Sequence, residues 1–182
     1  MQRVHQRIVD YDATSYEDSL IPVHKLHMTL ACLGLDHQED IEKASEFLEN
    51  IKSDLEKFTP KDTSLVELSG VNHFFHNVLY AQVQENKNML NFVNHLRDAV
   101  TKAGIEIRDV FDFNPHVTIL KFKRHHQAMA NTRYIDPRLY EMFEDTRFGA
   151  QIFDNIYLCK MTTEEDAETG FYICPKDIQL EN

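Results

Sequence analysis

The chain has 182 residues, enough for one well-buried core, and its 42% hydrophobic and 27% charged residues are typical of a globular protein. Its net charge of −11 argues against a protein that binds long nucleic acid by neutralising phosphates, but not against one that holds a nucleotide or short oligonucleotide. The three widely spaced cysteines, Cys32, Cys159 and Cys174, predict buried thiols of a reducing compartment rather than a disulfide framework.

Helices and strands follow from the period of the apolar residues. In chain order, we predict a helix followed by a loop over residues 1–19, a strand over 26–35, a helix over 39–58, strands over 65–68 and 78–83, a helix over 86–103, strands over 105–107 and 117–122, a short helix over 136–143, and strands over 151–161 and 171–180. Gly70 is predicted to begin the turn between two strands, and Gly104 to cap a helix.

These elements predict an α+β fold. We expect a single domain over residues 1–182, built from two similar lobes whose antiparallel sheets form a central groove with the helices outside. A groove between lobes is a common place for a small ligand. No apolar stretch approaches the length of a membrane span and no signal peptide is apparent, so we expect a cytoplasmic or nuclear protein.

One short motif occurs twice, 89 positions apart, as HMTL over residues 27–30 and HVTI over residues 116–119. Side chains alternate between the two faces of a strand, so the His and the Thr of each motif share one face. Two such strands side by side would direct two imidazoles and two hydroxyls into one cleft. The candidate catalytic residues are therefore His27 and His116, and the candidate phosphate-binding residues are Thr29 and Thr118.

This set of groups suits the cleavage of a phosphodiester. An imidazole with a pKa near ~6.5 can act as acid or base at neutral pH. Cleavage needs one proton removed from the nucleophile, one given to the leaving oxygen, and donors for the non-bridging oxygens. The paired motif supplies all three, so we expect no metal and no cofactor.

Other nucleotide-binding and metal-binding patterns are weaker. His24 and His27, like His73 and His76, have H-x-x-H spacing, but residues three apart on a strand face opposite ways, and no cysteine pair or acid joins them at ligand spacing. With only 5 glycines the chain lacks a Gly-rich phosphate loop.

Two further residues are candidate substrate contacts. Phe75, in a predicted turn, could stack on a base or could simply anchor the loop. Arg147 could reach a phosphate or pair with an acid such as Asp145. The sequence leaves both alternatives open.

The chain resembles the two-histidine (2H) phosphoesterases, and within them the central domain of the A-kinase anchoring proteins. Four segments carry the resemblance: KLHMTLACLGL, FNPHVTILKFKR, IDPRLYEMFEDTRFG and IYLCKMTTEEDAETGFYICPKDIQL. It covers nearly the whole chain and implies a LigT-like fold, with His27 and His116 catalytic and with Thr29 and Thr118 holding phosphate. It also implies metal-free action on 2′,5′-linked oligoadenylates, 2′,3′-cyclic phosphates or RNA ends, and binding of AMP and CMP.

The sequence departs from the family pattern in two places. Family domains open with a strand before the first helix, whereas here the first predicted helix follows Met1, so we expect that strand to be missing. No kinase-binding helix follows the domain, so kinase anchoring is not expected.

We therefore predict a monomeric, metal-independent phosphodiesterase that acts on a nucleotide or short oligonucleotide, with neither long nucleic acid nor a membrane as partner. The alternative is a non-catalytic module that binds AMP or CMP through the same four residues, as a sensor or scaffold. Which histidine is the base depends on the direction of the substrate and stays open.

Overall fold

The computed structural model describes residues 1–58, 65–122, 127–128, 133–162 and 164–180. In these residues the helices are α1 (Gln2–Tyr16), α2 (Gln38–Leu55) and α3 (Lys87–Lys102), and the strands are β1 (Leu65–Phe74), β2 (Val78–Val83), β3 (His116–Lys121), β4 (Arg147–Ile152), β5 (Asn155–Leu158) and β6 (Lys176–Gln179). None of the helices within the described residues is long and apolar enough to cross a bilayer.

The strands form two sheets. One has the order β3-β2-β1-β4, and the other pairs β5 with β6. Strand β2 runs antiparallel to both β1 and β3, and β5 runs antiparallel to β6. The predicted α+β class with two antiparallel sheets is confirmed.

The chain divides into two compact units. Unit 1 comprises Met1–Met28, Glu67–Gln84 and Pro115–Ala150, and unit 2 comprises Thr29–Val66, Glu85–Asn114 and Gln151–Asn182. Both motif histidines belong to unit 1, although they are 89 positions apart in the sequence. Segments from the two halves of the chain interleave, so residues far apart in sequence share one unit.

The core of unit 1 lies between α1 and one face of the four-stranded sheet. Its fully buried members include Val4 and Ile8 of α1, Leu79 of β2 and Ile119 of β3. Burying side chains of this size contributes roughly 1.5–3 kcal/mol each. Helix α1 is confirmed, and a non-helical residue, Asp12, kinks it.

Unit 2 is built on α2, α3 and the β5–β6 sheet. The buried faces of these elements consist of Ala44, Leu48, Ile51 and Leu55 on α2, Met89, Phe92, Val93, Leu96 and Val100 on α3, Ile156 on β5, and Ile178 on β6. The Asn86 side chain caps α3 by accepting a hydrogen bond from the Met89 N–H. Gly104 follows α3 with φ +70°, as predicted for a helix end.

The predicted strand over residues 26–35 is wrong. The segment makes isolated antiparallel bridges instead, Met28 with Val117 inside unit 1 and Leu33 with Ile107 inside unit 2. Because its two ends pair with different segments, no continuous ladder forms. The predicted strand over 105–107 is also only a bridge, at Ile107, because its partner segment around Leu33 forms no continuous strand.

Gly70 lies inside β1, so the predicted turn at this residue is also wrong. Its φ of +84° coincides with a shift in the β1–β2 register between Leu68 and Val71, which marks a bulge. A Cβ added here would come within 2.5 Å of the Glu144 carbonyl oxygen. The glycine therefore bends the strand without ending it.

The C-terminal elements are shorter than predicted. The expected helix over 136–143 is two 3-10 turns, Pro137–Leu139 and Glu141–Phe143, and β4 was not predicted. The cysteines also differ from expectation: Cys32 is exposed, and Cys159 and Cys174 are only half-buried.

Candidate active site

Strand β3 carries the second motif, as predicted. His116 opens the strand opposite Gln82 of β2, and Thr118 pairs with Tyr80. Val117 is 8% exposed and belongs to the core of unit 1. Since side chains alternate along a strand, His116 and Thr118 lie on the face opposite this core, where both are half-buried.

Two aromatic rings orient the His116 imidazole. Phe74 of β1 stacks on Tyr80 of β2, with ring centroids 4.2 Å apart. The His116 ring meets both edge to face, at 4.9 Å from Phe74 and 5.3 Å from Tyr80. Such contacts favour this orientation of the imidazole.

The first motif reaches β3 from a segment that follows its outer edge. Leu20 bridges to Leu120, and the Ile21 N–H donates to the Ile119 carbonyl at 2.8 Å. The chain then leaves the edge of β3 in a 3-10 turn over Val23–Lys25. It pairs with β3 again at Met28.

The Met28–Val117 bridge joins the middle residues of the two motifs. The register of this single bridge aligns His27 with Thr118 and Thr29 with His116. Met28 packs on the core of unit 1, whereas His27 is half-buried. The bridge therefore brings the two motifs side by side at residues 28 and 117.

The tautomer of His27 follows from its backbone contact. His27 Nδ1 lies 2.9 Å from the Lys25 carbonyl oxygen. A carbonyl only accepts hydrogen bonds, so Nδ1 carries the proton and donates it. In the neutral ring, Nε2 is then the basic nitrogen, and it is the atom that can take up or release a proton.

Thr29 is exposed and begins unit 2. The chain directly after it is anchored to α3, because Arg97 Nη1 donates to the Leu30 carbonyl at 2.9 Å. The same nitrogen pairs with Asp109 Oδ2 at 2.6 Å, and the Asp109 carboxylate accepts the Cys32 N–H. No local sequence pattern predicts this anchor, since it depends on pairing between residues 67 and 77 positions apart.

Phe75 and Arg147, the two candidate substrate contacts, lie at separate places in unit 1. Phe75 is 75% exposed at the turn between β1 and β2, where its φ of +51° is unusual for a bulky residue. Arg147 begins β4 and pairs with Glu67 of β1, with Nη2 2.6 Å from Oε1. The acid partner that the sequence suggested is present, but it is Glu67 and not Asp145.

Among the residues that the structure describes, no three His, Cys, Asp or Glu side chains cluster in a way that could hold a metal ion. His73 and His76, which have H-x-x-H spacing, pack against each other with ring centroids 3.9 Å apart. The His76 N–H approaches His73 Nδ1 at 3.3 Å, so this nitrogen acts as an acceptor.

Comparisons with known proteins agree with this fold. Human A-kinase anchor protein 7 isoform gamma is 25% identical over 158 residues, which is 85% of this chain but only 45% of that protein. The solved structure of E. coli LigT complexed with 3′-AMP is 14% identical with a TM-score of 0.59, and a crystal structure described as a phosphoesterase is 17% identical with a TM-score of 0.52. Each covers 100% of this chain and 94% of its own, and at these identities they show the fold alone.

The family model described as the AKAP7 2′5′ RNA ligase-like domain matches residues 1–180. Together with the LigT-type fold, this match shows that the chain belongs to the AKAP7 2′5′ RNA ligase-like family of the 2H phosphoesterases.

Proposed function

We propose that the chain is a metal-independent phosphodiesterase that cleaves a nucleotide or short oligonucleotide with a 2′,5′ linkage or a 2′,3′-cyclic phosphate. Family membership supports phosphodiesterase chemistry of the 2H type. The observation that carries the finer proposal is the Met28–Val117 bridge, which joins the two motifs. The 3′-AMP bound to E. coli LigT supports a nucleotide as the class of substrate.

In this proposal the two histidines share the proton transfers. For a 2′,5′-linked substrate, the adjacent 3′-hydroxyl attacks phosphorus, one histidine removes its proton, and the other protonates the leaving 5′-oxygen. His27 acts through Nε2, because Nδ1 is used by the Lys25 carbonyl. The hydroxyls of Thr29 and Thr118 donate to the non-bridging oxygens, where negative charge concentrates in the transition state.

The test is cleavage of a panel of 2′,5′-oligoadenylate, 2′,3′-cyclic nucleotides and 3′,5′-linked RNA. We expect His27→Ala and His116→Ala each to lower kcat on the cleaved substrate by about 10²- to 10⁴-fold, the usual contribution of a general acid or base. His24→Ala is the matched control, since His24 is exposed three residues from His27. Circular dichroism confirms that each variant is folded.

Three results would contradict the proposal. Unchanged turnover in both folded histidine variants would remove the acid–base mechanism, and loss of activity in EDTA would remove metal independence. Calorimetric binding of AMP without cleavage of any substrate in the panel would favour the non-catalytic nucleotide-binding module.

A further inference from the structure

Two cysteines that the proposed function does not use lie in contact at one end of the β5–β6 sheet. Cys159 Sγ and Cys174 Sγ are 2.8 Å apart. The Cys174 thiol also donates to the Tyr172 carbonyl at 3.3 Å. Both residues belong to unit 2 and are half-buried.

The strand register explains why the two thiols meet. The β5–β6 ladder ends at the pair Leu158 and Lys176, and beyond it the Lys160 N–H donates to the Ile173 carbonyl at 2.8 Å. This bond puts Cys159 directly opposite Cys174, with Pro175 as the extra residue of a bulge. Proline fits a bulge because it has no N–H for the ladder.

Opposed residues of antiparallel strands have a backbone spacing that suits a disulfide. Their Cα atoms are typically about 4.5–5.5 Å apart. Disulfides form at Cα separations of about 4.4–6.8 Å. The chain therefore needs little backbone movement to join the two sulfurs.

We propose that Cys159 and Cys174 form a reversible disulfide when the protein meets a thiol oxidant of the glutathione disulfide class. The Cys174 thiolate attacks glutathione disulfide, which forms a mixed disulfide and releases one glutathione thiolate. Cys159 then loses its proton and displaces the second glutathione. Two protein thiols are oxidised, one glutathione disulfide is reduced to two glutathiones, and the two protons go to the released thiolates.

The environment of Cys159 supports this order of attack. Burial, with the neighbouring Cys174 thiol, raises the pKa of Cys159 to about 12, so its own thiolate is scarce at neutral pH. The product closes the loop between β5 and β6. Because Lys176 of β6 forms an ion pair with Glu49 of α2, the cross-link adds to an existing attachment within unit 2.

The experiment treats the full chain with glutathione disulfide, alkylates the remaining thiols and maps the peptides without reduction. We expect one peptide pair joined through Cys159 and Cys174, lacking two hydrogens and released by dithiothreitol. Cys32, which is exposed, serves as the internal control and should carry alkyl or glutathione. Cys159→Ser and Cys174→Ser should each abolish the cross-link and leave at most a single mixed disulfide.

A second readout is the thermal midpoint, which we expect to rise on oxidation of the wild type and of Cys32→Ser but not of Cys159→Ser. The proposal is wrong if Cys159 and Cys174 stay separate, as thiols or as glutathione adducts, while Cys32 reacts. It is equally wrong if Cys32 pairs with either residue, or if the cross-link appears only in urea-unfolded protein.

Discussion

Because His27 Nδ1 donates a hydrogen bond to the Lys25 carbonyl, the two ring nitrogens have different roles. Nδ1 fixes the ring to the backbone just after the 3-10 turn, and Nε2 is left as the basic atom. His116 instead makes edge-to-face contacts with the rings of Phe74 and Tyr80. Each imidazole thus has its own contacts that favour one orientation, which helps proton transfer in a defined direction.

This difference predicts the behaviour of His27→Asn. The asparagine amide nitrogen comes close to the position of Nδ1, so it can still donate to the Lys25 carbonyl, but nothing replaces Nε2. We expect the unfolding midpoint to stay near that of the wild type, while kcat falls by about 10²- to 10⁴-fold. Denaturant unfolding and steady-state kinetics check both halves of this expectation.

His27→Gln is the complementary control. Its amide reaches toward the position of Nε2 but not toward the Lys25 carbonyl, so we expect a similar loss of turnover together with a lower unfolding midpoint. If His27→Asn kept its turnover, Nε2 would not transfer a proton in the reaction.

At the scale of elements, α3 anchors the segment that follows Thr29. Arg97 links this segment to Asp109 through bonds to the Leu30 carbonyl and the Asp109 carboxylate, and the two side chains of the ion pair are each 20% exposed. Because Asp109 also accepts the Cys32 N–H, one ion pair fixes the chain on both sides of residue 31.

We expect Arg97→Met to lower the free energy of unfolding by about 1.5–3 kcal/mol, the range for hydrogen bonds to charged groups. We also expect Thr29→Ala to weaken catalysis less in Arg97→Met than in the wild type, because an unanchored Thr29 already contributes less. A double-mutant cycle on kcat/KM measures this coupling.

Arg108→Gln is the matched control for the Arg97 variant. Arg108 pairs with Asp36 and Glu106 in the same unit, but these side chains are largely exposed, so we expect little loss of stability and a full Thr29 effect. Additive effects of Arg97→Met and Thr29→Ala would contradict the anchoring role.

The elements that the sequence predicted well are those set by local pattern. Helices α2 and α3 follow apolar residues three and four apart, and β3 follows the alternation around Val117. The segment from Leu26 to Leu35 shows the limit: its apolar residues are typical of a strand, but a strand also needs a continuous partner. Which partner Met28 and Leu33 would find depends on segments more than 70 residues away.

In the candidate site, too, some features follow from the local sequence and others depend on distant segments. Residue types and spacing were sufficient to select His27 and His116, because acid–base chemistry restricts the choice of side chain. The Lys25 contact and the Phe74–Tyr80 stack could not be predicted, since they depend on how the backbone turns before Met28 and on the register of β1 against β2.

For the molecule as a whole, two titrating groups of unit 1 contribute to the acid side of the stability curve. The Arg138 guanidinium and the Tyr11 hydroxyl hold the pKa of Asp136 well below its ordinary value of 3.8, so its contribution disappears only in strong acid. The second group is the imidazole of His73. Its ring contacts the rings of His76 and Tyr140. The negative charge of Glu144 raises the pKa of His73.

Burial and the nearby His76 lower the pKa of His73 below its ordinary value of 6.5. As pH falls through 6.5, the unfolded chain therefore takes up this proton before the folded one, so folding stability decreases until the folded ring also titrates. We expect His73→Asn to flatten this part of the curve, because the asparagine oxygen can accept the His76 N–H without titrating. Urea unfolding at a series of pH values from neutral to acid measures how the free energy of unfolding changes with pH. His24→Asn, at an exposed histidine, is the control. Equal slopes for the wild type and His73→Asn would assign the acid sensitivity to other groups.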